Sequence, residues 1–323
     1  MKALVTGCAG FIGSHLCERL LSAGLNVVGI DSLTDYYDLE IKKSNLDNLT
    51  GSQKFAFVQD DIMTSDLGSA LKNVDFVFHL AAQPGVRGSW GDKFSIYVKN
   101  NILSTQRLLE AVKDLQGLRK FVYASSSSIY GQISEESVNE EHKTAPYSPY
   151  GATKLAGENL CFLYSGNFKV PVVSLRLFTV YGPRQRPDMA FTRLIYAAIS
   201  GKKFSLFGDG NQERDFTYVL DVVEGMWLAA TNPDSAGIFN IGGGHVVSMN
   251  EVISIVEKAT GSRINIERKH TERGDVRRTG ADVSRSKSIL AFSPRYDIEE
   301  GILRQVRFVQ EHMDMYHNST SIS

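Results

Sequence analysis

Four groups of residues in this chain have types and spacings that could do chemistry. The loop "VYGPRQRPDMAF", residues 180–191, sets Arg184 and Arg186 among prolines and an aspartate. Prolines fix φ and remove amide donors, so this segment is unsuited to a helix interior or central strand. Rigid charged loops belong to sites more often than to spacers, and two guanidinium groups ask for an anion. In "SPYGATKLAGE", Tyr150 and Lys154 stand four apart, which puts both on one face of a helix. A phenol of reference pKa about 10 is a poor base at neutral pH, but a nearby ammonium favours the phenolate. Tyr150 could then act as a general base. The other reading is a surface tyrosine beside a solvated lysine. "SSSSIYG", residues 125–131, adds a hydroxyl cluster that could bridge Tyr150 and a substrate.

The fourth group is "VTGCAGFIG", with Gly7, Gly10 and Gly13 directly after a first apolar run. Glycine there lets the backbone turn tightly and approach a pyrophosphate held at a helix N-terminus. A purely structural glycine turn is the alternative. Asp31 ends the second apolar run, where a carboxylate accepts adenosine ribose hydroxyls and repels a 2′-phosphate. Capping a turn is its other reading; the first favours NAD over NADP. Asp61 with Ile62 could hold adenine, with helix capping open for Asp61, and Leu80–Gln83 could line the dinucleotide.

The elements that must position these groups are legible as a rhythm. Short apolar runs, "KALVTG", "NVVGID", "KFAFVQ", "DFVFHLA", "KFVYASS" and "PVVSLRL", read as strands. Amphipathic stretches between them, such as Ser14–Ala23 stopped by Gly24 and a run from Ile102 to Val112, read as helices. Alternation of this kind predicts an α/β fold with a doubly wound parallel sheet of Rossmann type. After Phe178 the rhythm breaks into a helix near Phe191–Ser200 closed by Gly201, a short "FSLFG" strand, "RDFTYVLDVVEGMWLAA" and "GIFNIGGG". A helix then opens at a Ser248–Glu251 capping box. The expected division is residues 1–178 for a nucleotide-binding domain, with a return segment near 214–235. Residues 179–323 form a smaller mixed α/β portion over the sheet's carboxyl edge. The tail "HNSTSIS" reads as disordered.

Composition excludes several classes. With 42% hydrophobic residues in 323, the chain can bury a sizeable core. Its 35 basic and 36 acidic residues leave a net charge of −1, so no nucleic-acid partner is expected. Cys8, Cys17 and Cys161 lack CxxC spacing, which suits a reducing compartment and argues against a disulfide framework. No clustered His/Cys ligands suggest a metal, no leader-like start is visible, and no apolar run reaches the roughly 20 residues of a membrane span. The expected location is the cytoplasm.

Taken together, the glycine pattern, Asp31, "HLAA", "SSSSIYG", "YGATK" and "RDFTYVLD" resemble the extended short-chain dehydrogenase/reductase family over essentially the whole chain. The resemblance implies NAD in the first domain, a nucleotide-sugar in the second, and a homodimer through two long helices. It implies Ser126, Tyr150 and Lys154 as catalytic. NAD would be contacted by Gly7, Gly10, Phe11, Ile12, Gly13, Asp31, Ser32, Asp61, Ile62, Leu80, Ala81, Ala82, Gln83, Asn100, Tyr150 and Lys154. Arg214 and Arg277 would take the sugar-nucleotide pyrophosphate, or else are solvated charges. Met189, Phe191 and Phe207 complete the implied substrate contacts.

Family dehydratases resemble "TDEVYG" and family UDP-glucuronate decarboxylases "TSEVYG" where this chain has "SSSIYG", so Ser128 stands in place of a glutamate. Without that side-chain acid, the remaining set suits reversible oxidation of a sugar hydroxyl, hence an epimerase. "FTVYGPRQRPDMAF" and "QPGVRGSW", with Arg87, resemble UDP-glucuronate 4-epimerases, in which Thr179 replaces an asparagine. Arg186 would fork onto the C6 carboxylate of glucuronate. Tyr150, assisted by Ser126, would take the 4-hydroxyl proton as a hydride passes to NAD. The 4-keto sugar would turn over, and the hydride would return to its other face. Thr179, Ser127 and Ser128 would help restrain loss of CO2. Four alternatives stay open: a 4-epimerase of UDP-glucose or its N-acetyl derivative, a UDP-glucuronate decarboxylase, an oxidoreductase with net cofactor turnover, and a non-catalytic NAD sensor.

Overall fold

The structure, a computed structural model, describes residues 1–133, 135–271 and 274–317. The expected disordered tail lies, beyond His317, outside the described residues. All six apolar runs form strands: β1 (Lys2–Thr6), β2 (Asn26–Asp31), β3 (Phe55–Gln59), β4 (Phe76–His79), β5 (Lys120–Ser126) and β6 (Val172–Leu177). Among them run helices α1 (Phe11–Ser22), α2 (Leu39–Thr50), α3 (Leu67–Leu71), α4 (Phe94–Tyr97), α5 (Ser104–Val112) and α6 (Pro149–Phe168). Then follow β7 (Thr179–Tyr181), α7 (Ala190–Ser200), β8 (Lys203–Phe207), β9 (Glu213–Tyr218), α8 (Val219–Thr231) and β10 (Gly237–Ile241). The rest comprises β11 (Val246–Ser248), α9 (Met249–Thr260), β12 (Asn265–Lys269), β13 (Arg278–Thr279), α10 (Ser284–Leu290), α11 (Ile298–Glu311) and α12 (Met313–His317).

The main sheet has the order β10-β6-β5-β4-β1-β2-β3, and every pairing in it is parallel. Strand order reverses between β1 and β4. In such sheets the crevice outside the strands' carboxyl ends at that point is where ligands bind. Strands buried on both faces must be apolar throughout, and Leu4, Val5, Phe78, Phe121 and Val122 are fully buried. α1 begins at Phe11, three residues earlier than its periodicity suggested, because Gly10 already sits at the cap and its carbonyl accepts from the Ser14 amide.

One expectation about the second half is corrected. The segment "GIFNI" is not part of a portion lying over the sheet: it is β10, paired in parallel with β6. The chain therefore returns to the main sheet over α8 and β10, whereas β9, inside the expected return segment, belongs to a small separate sheet with β7, β11 and β13. α8 packs on α1, where Arg19 bonds Glu224 at 2.9 Å and lies over the Trp227 ring. Local patterning cannot announce such a pairing, since β10 meets β6 only through tertiary burial. A continuous apolar cluster runs from Ala3 through Met226 to Tyr316 and joins both halves. The Ser248–Glu251 capping box and the Gly201 helix stop form as expected.

Candidate active site

The carboxyl ends of β1, β2, β4, β5 and β6 open into one cleft of about 500 Å³. Its first wall is the glycine turn. Gly7 has φ +76°, and a Cβ there would lie 2.9 Å from the Ala81 amide nitrogen; a Cβ on Gly13 would meet the Gly7 carbonyl at 2.1 Å. Only glycine lets α1 start this close to the strand ends, leaving room where a pyrophosphate would lie. The residues thus fit a dinucleotide. Gly7, Gly10, Phe11, Ile12, Gly13, Asp31, Ser32, Asp61, Ile62, Leu80, Ala81, Ala82, Gln83, Asn100, Tyr150 and Lys154 all line this cleft. Asp31 lines the cleft and, as its turn-capping reading expects, accepts from the amides of Ala9 (3.1 Å) and Leu33 (2.9 Å). Asp61 likewise accepts from the Met63 amide and pairs with Lys99 at 2.7 Å.

A π-helical turn, Val98–Leu103, interrupts the helix expected from Ile102 onward. Such turns are frequent at functional sites. Here it aims Asn100 into the cleft, while buried Asn101 clamps Gln83 by accepting from its amide (2.7 Å) and donating to its carbonyl (3.1 Å).

The catalytic candidates come from two adjacent elements. β5 ends at Ser126, whose hydroxyl accepts from the Ser128 amide in a following 3₁₀ turn. α6 starts with Ser148 as its cap and Pro149 in its first turn, which puts Tyr150 and Lys154 on successive turns facing the cleft. Gly151 lets the helix approach, since a Cβ there would come within 2.5 Å of the Ser128 carbonyl. The Tyr150 hydroxyl lies close enough to Ser126 for that side chain to favour its phenolate. Burial pushes the phenol's pKa up, opposed by the Ser126 side chain and then by the Arg186 charge. Burial also pulls Lys154 down to about 8, with Cys161 and Glu158 acting against it. Lys154 Nζ lies 4.5 Å over the Tyr123 ring. The groups that favour the phenolate of Tyr150 in this structure are Ser126 and Arg186.

Arg186, Thr179 and Met189 line the same cleft, as do Ser127 and Ser128. The Arg186 guanidinium forks onto Asp188, with Nε donating at 2.9 Å and Nη2 at 3.0 Å. Tyr36 lies against the same guanidinium, its ring centre 5.8 Å from Cζ, and among the described residues Asp188 is the ion-pair partner of Arg186. Arg184 turns away, pairing with Glu18 at 2.6 Å and Ser14. The two arginines of the loop therefore have different tasks.

Several implied contacts are not in the cleft wall. Phe191 is corrected to a core residue, 1% exposed and packed on Phe216 at 4.6 Å between centroids. Arg87 bonds Asp275 at 2.8 Å and covers the Phe207 ring at 4.0 Å. Arg214 donates to the carbonyls of Glu213, Val276 and Arg277, and Arg277 is exposed. Sequence reasoning missed Tyr36, Tyr37 and Lys42, which also line the cleft, and Asp188, whose two-residue spacing from Arg186 across a proline was the available signal. Among the described residues no His/Cys/Asp/Glu cluster could hold a metal.

Three comparisons accord with this arrangement. A Bacillus subtilis protein described as an uncharacterized UDP-glucose epimerase is 44% identical over 96% of this chain and 98% of its own. A UDP-glucuronate 4-epimerase from Thermodesulfobacterium geofontis is 40% identical over 97% of both. The crystal structure of a Bacillus cereus UDP-glucuronic acid 4-epimerase, complexed with UDP-glucuronic acid and NAD, superimposes with a TM-score of 0.94. It is 44% identical, over 97% of this chain and 100% of that one. The model of the NAD dependent epimerase/dehydratase family matches residues 3–242, and the chain belongs to that family.

Proposed function

We propose that this chain is an NAD-dependent 4-epimerase that interconverts UDP-glucuronate and UDP-galacturonate through a 4-keto sugar, with no net redox. One observation carries the reading: a buried Ser126–Tyr150 pair and Lys154 share a cleft with a forked arginine, while a serine, Ser128, stands where elimination would need an acid. NAD, when bound, supplies reversible hydrogen acceptance at the sugar C4. Gly7, Gly10, Gly13, Asp31 and Lys154 would hold it. Tyr150 Oη takes the proton of the 4-hydroxyl, with Ser126 bridging the two oxygens, and gives it back at the end. Arg186, with Thr179, Ser127 and Ser128, binds the C6 carboxylate. Holding C6 near the plane of the C4 carbonyl and keeping its charge paired disfavours loss of CO2.

The site roles assigned above belong to this reading, as does a division into a nucleotide-binding part and a sugar-binding part near residue 178, with α8 and β10 returning to the first part. So does a homodimer through the α5 and α6 faces, where Leu103, Leu163 and Phe168 are exposed and Phe162 is 71% exposed. A cytoplasmic setting is supported by three free buried cysteines. Among the described residues no helix is long and apolar enough to cross a membrane.

A second reading, UDP-glucose as substrate, is favoured by Asp188: because it already balances Arg186, an uncharged sugar would meet no unpaired cation. Incubation with UDP-glucuronate, UDP-glucose and UDP-N-acetylglucosamine, with products identified by NMR, tests both. Conversion of UDP-glucuronate in preference to the others is expected; preference for UDP-glucose would install the second reading.

A further inference from the structure

Next to the catalytic residues lies a buried ion pair, Glu158 with Arg176, each 3% exposed. Arg176 forks onto the carboxylate, with Nη2 donating to Oε1 at 2.8 Å and Nε to Oε2 at 3.2 Å. The Ser125 hydroxyl donates to Oε2 at 2.7 Å. Arg176 Nη1 donates to the Tyr130 hydroxyl at 2.8 Å, and that hydroxyl donates to Asn240 Oδ1 at 2.7 Å. Stability does not account for such a pair. Taking two charges out of water is costly, and an apolar pair of similar volume is often as stable or more so.

What the pair is bonded to suggests its use. Ser125 directly precedes Ser126, the last residue of β5, and Tyr130 directly follows the 3₁₀ turn Ser127–Ile129. The pair therefore holds the serine turn at both ends. Glu158 is the only carboxylate in α6 and stands one turn beyond Lys154 and two beyond Tyr150, so all three share a helix face. A second tie runs alongside. The Tyr123 hydroxyl of β5 donates to the Lys154 carbonyl at 3.3 Å, and Gly157 makes room for it, since a Cβ there would come within 2.2 Å of that oxygen.

We propose that Glu158, locked by Arg176, is a positioning residue for the epimerase chemistry: it sets the serine turn at the end of β5 against Tyr150 and Lys154 on α6. Ser126 and Tyr150 come from different elements yet must reach one sugar oxygen, and a misplacement of about 1 Å can cost 100-fold in rate. An ion pair bonded to both elements fixes their relative placement. Apolar packing, which is non-directional, does so less sharply. The inference rests on the epimerase reading.

The test is a triple variant, Ser125→Ala with Glu158→Met and Arg176→Met, which removes the network without leaving a buried charge or the Ser125 hydroxyl unpaired. Ser125→Ala alone accompanies it. Steady-state kinetics on UDP-glucuronate, NAD affinity, thermal melting and hydrogen exchange of residues 125–130 are measured on each. The triple variant should melt within a few degrees of wild type, lose about tenfold or more in kcat, and keep KM and NAD affinity within twofold. Ser125→Ala should lose more than twofold in kcat, and exchange at 125–130 should quicken in both variants. A kcat within twofold of wild type in the triple variant would overturn the inference, as would KM or NAD affinity worsening in step with kcat. Should the triple variant not fold, Ser125→Ala decides: kcat within twofold of wild type there refutes the positioning role. Failure of wild type to convert UDP-glucuronate would instead remove the epimerase reading; the inference then stands on faster exchange at 125–130 and falls on unchanged exchange.

Discussion

Replacing Arg186 by alanine separates two effects that the structure assigns to one side chain. The guanidinium is 17% exposed, is forked onto Asp188 and lines the cleft. A hydrogen bond to a charged group contributes roughly 1.5–3 kcal/mol. At about 1.4 kcal/mol per decade, its loss lowers kcat/KM on UDP-glucuronate about 10- to 150-fold. Two further changes follow. Asp188 is left without its partner and repels the incoming carboxylate, which adds to the loss on the charged sugar. The Arg186 charge also opposes the upward shift of Tyr150, so its removal raises that phenol's pKa further. Tyr150 works ionised, so this second change slows every sugar at neutral pH. The expected outcome is a modest common loss plus an extra 10- to 150-fold loss confined to UDP-glucuronate. Steady-state kinetics on UDP-glucuronate and UDP-glucose, with chromatography for a decarboxylated UDP-pentose, measure both. Equal losses on the two sugars would refute the carboxylate role and leave Arg186 as a loop or electrostatic residue.

The other predictions concern Tyr150, Asp31 and Lys154. Tyr150→Phe should abolish epimerisation while NAD affinity stays within twofold, since only the proton-accepting oxygen is lost; activity within a few-fold of wild type would remove the base role. Asp31→Ala should narrow the NAD/NADP affinity ratio. It should also cost about 1–3 kcal/mol of stability, because the Ala9 and Leu33 amides lose their acceptor. An unchanged ratio with lower stability would make Asp31 a cap alone. Lys154→Met should end turnover yet stabilise the NAD-free protein at pH 7. Burial holds Lys154 at about 8, below its unfolded value, so the charged form opposes folding at lower pH and wild type gains stability as pH rises from about 8 to 10. The gain at pH 7 should be roughly 1–3 kcal/mol and fade above pH 10, read by urea denaturation.

What the sequence made legible is what local chemistry encodes. Runs such as "KALVTG" are apolar because both faces of a parallel strand are covered, and the turn glycines have no substitute where a Cβ would strike backbone. Tyr150 and Lys154 announced themselves by helical spacing. Features made by distant partners stayed hidden. β10 is a strand of the main sheet only because β6 is there to receive it. Phe191 sits in a site-like loop, yet Phe216 and Tyr181 draw it into the core. The π turn at Val98–Leu103 is set by Asn101 reaching Gln83 and Thr153, neither near it in sequence. Arg186 was read as awaiting an anion; that Asp188 already occupies one of its edges depends on the rotamers of both.

The central claim is that the hydrogen at C4 leaves and returns to the same carbon within one bound cycle. UDP-glucuronate deuterated at C4 tests it most directly. The account predicts UDP-galacturonate that retains the deuterium at C4, with none appearing in water and no lasting rise in absorbance at the wavelength of reduced nicotinamide. Deuterium lost to solvent, or a stoichiometric accumulation of reduced cofactor, would contradict it.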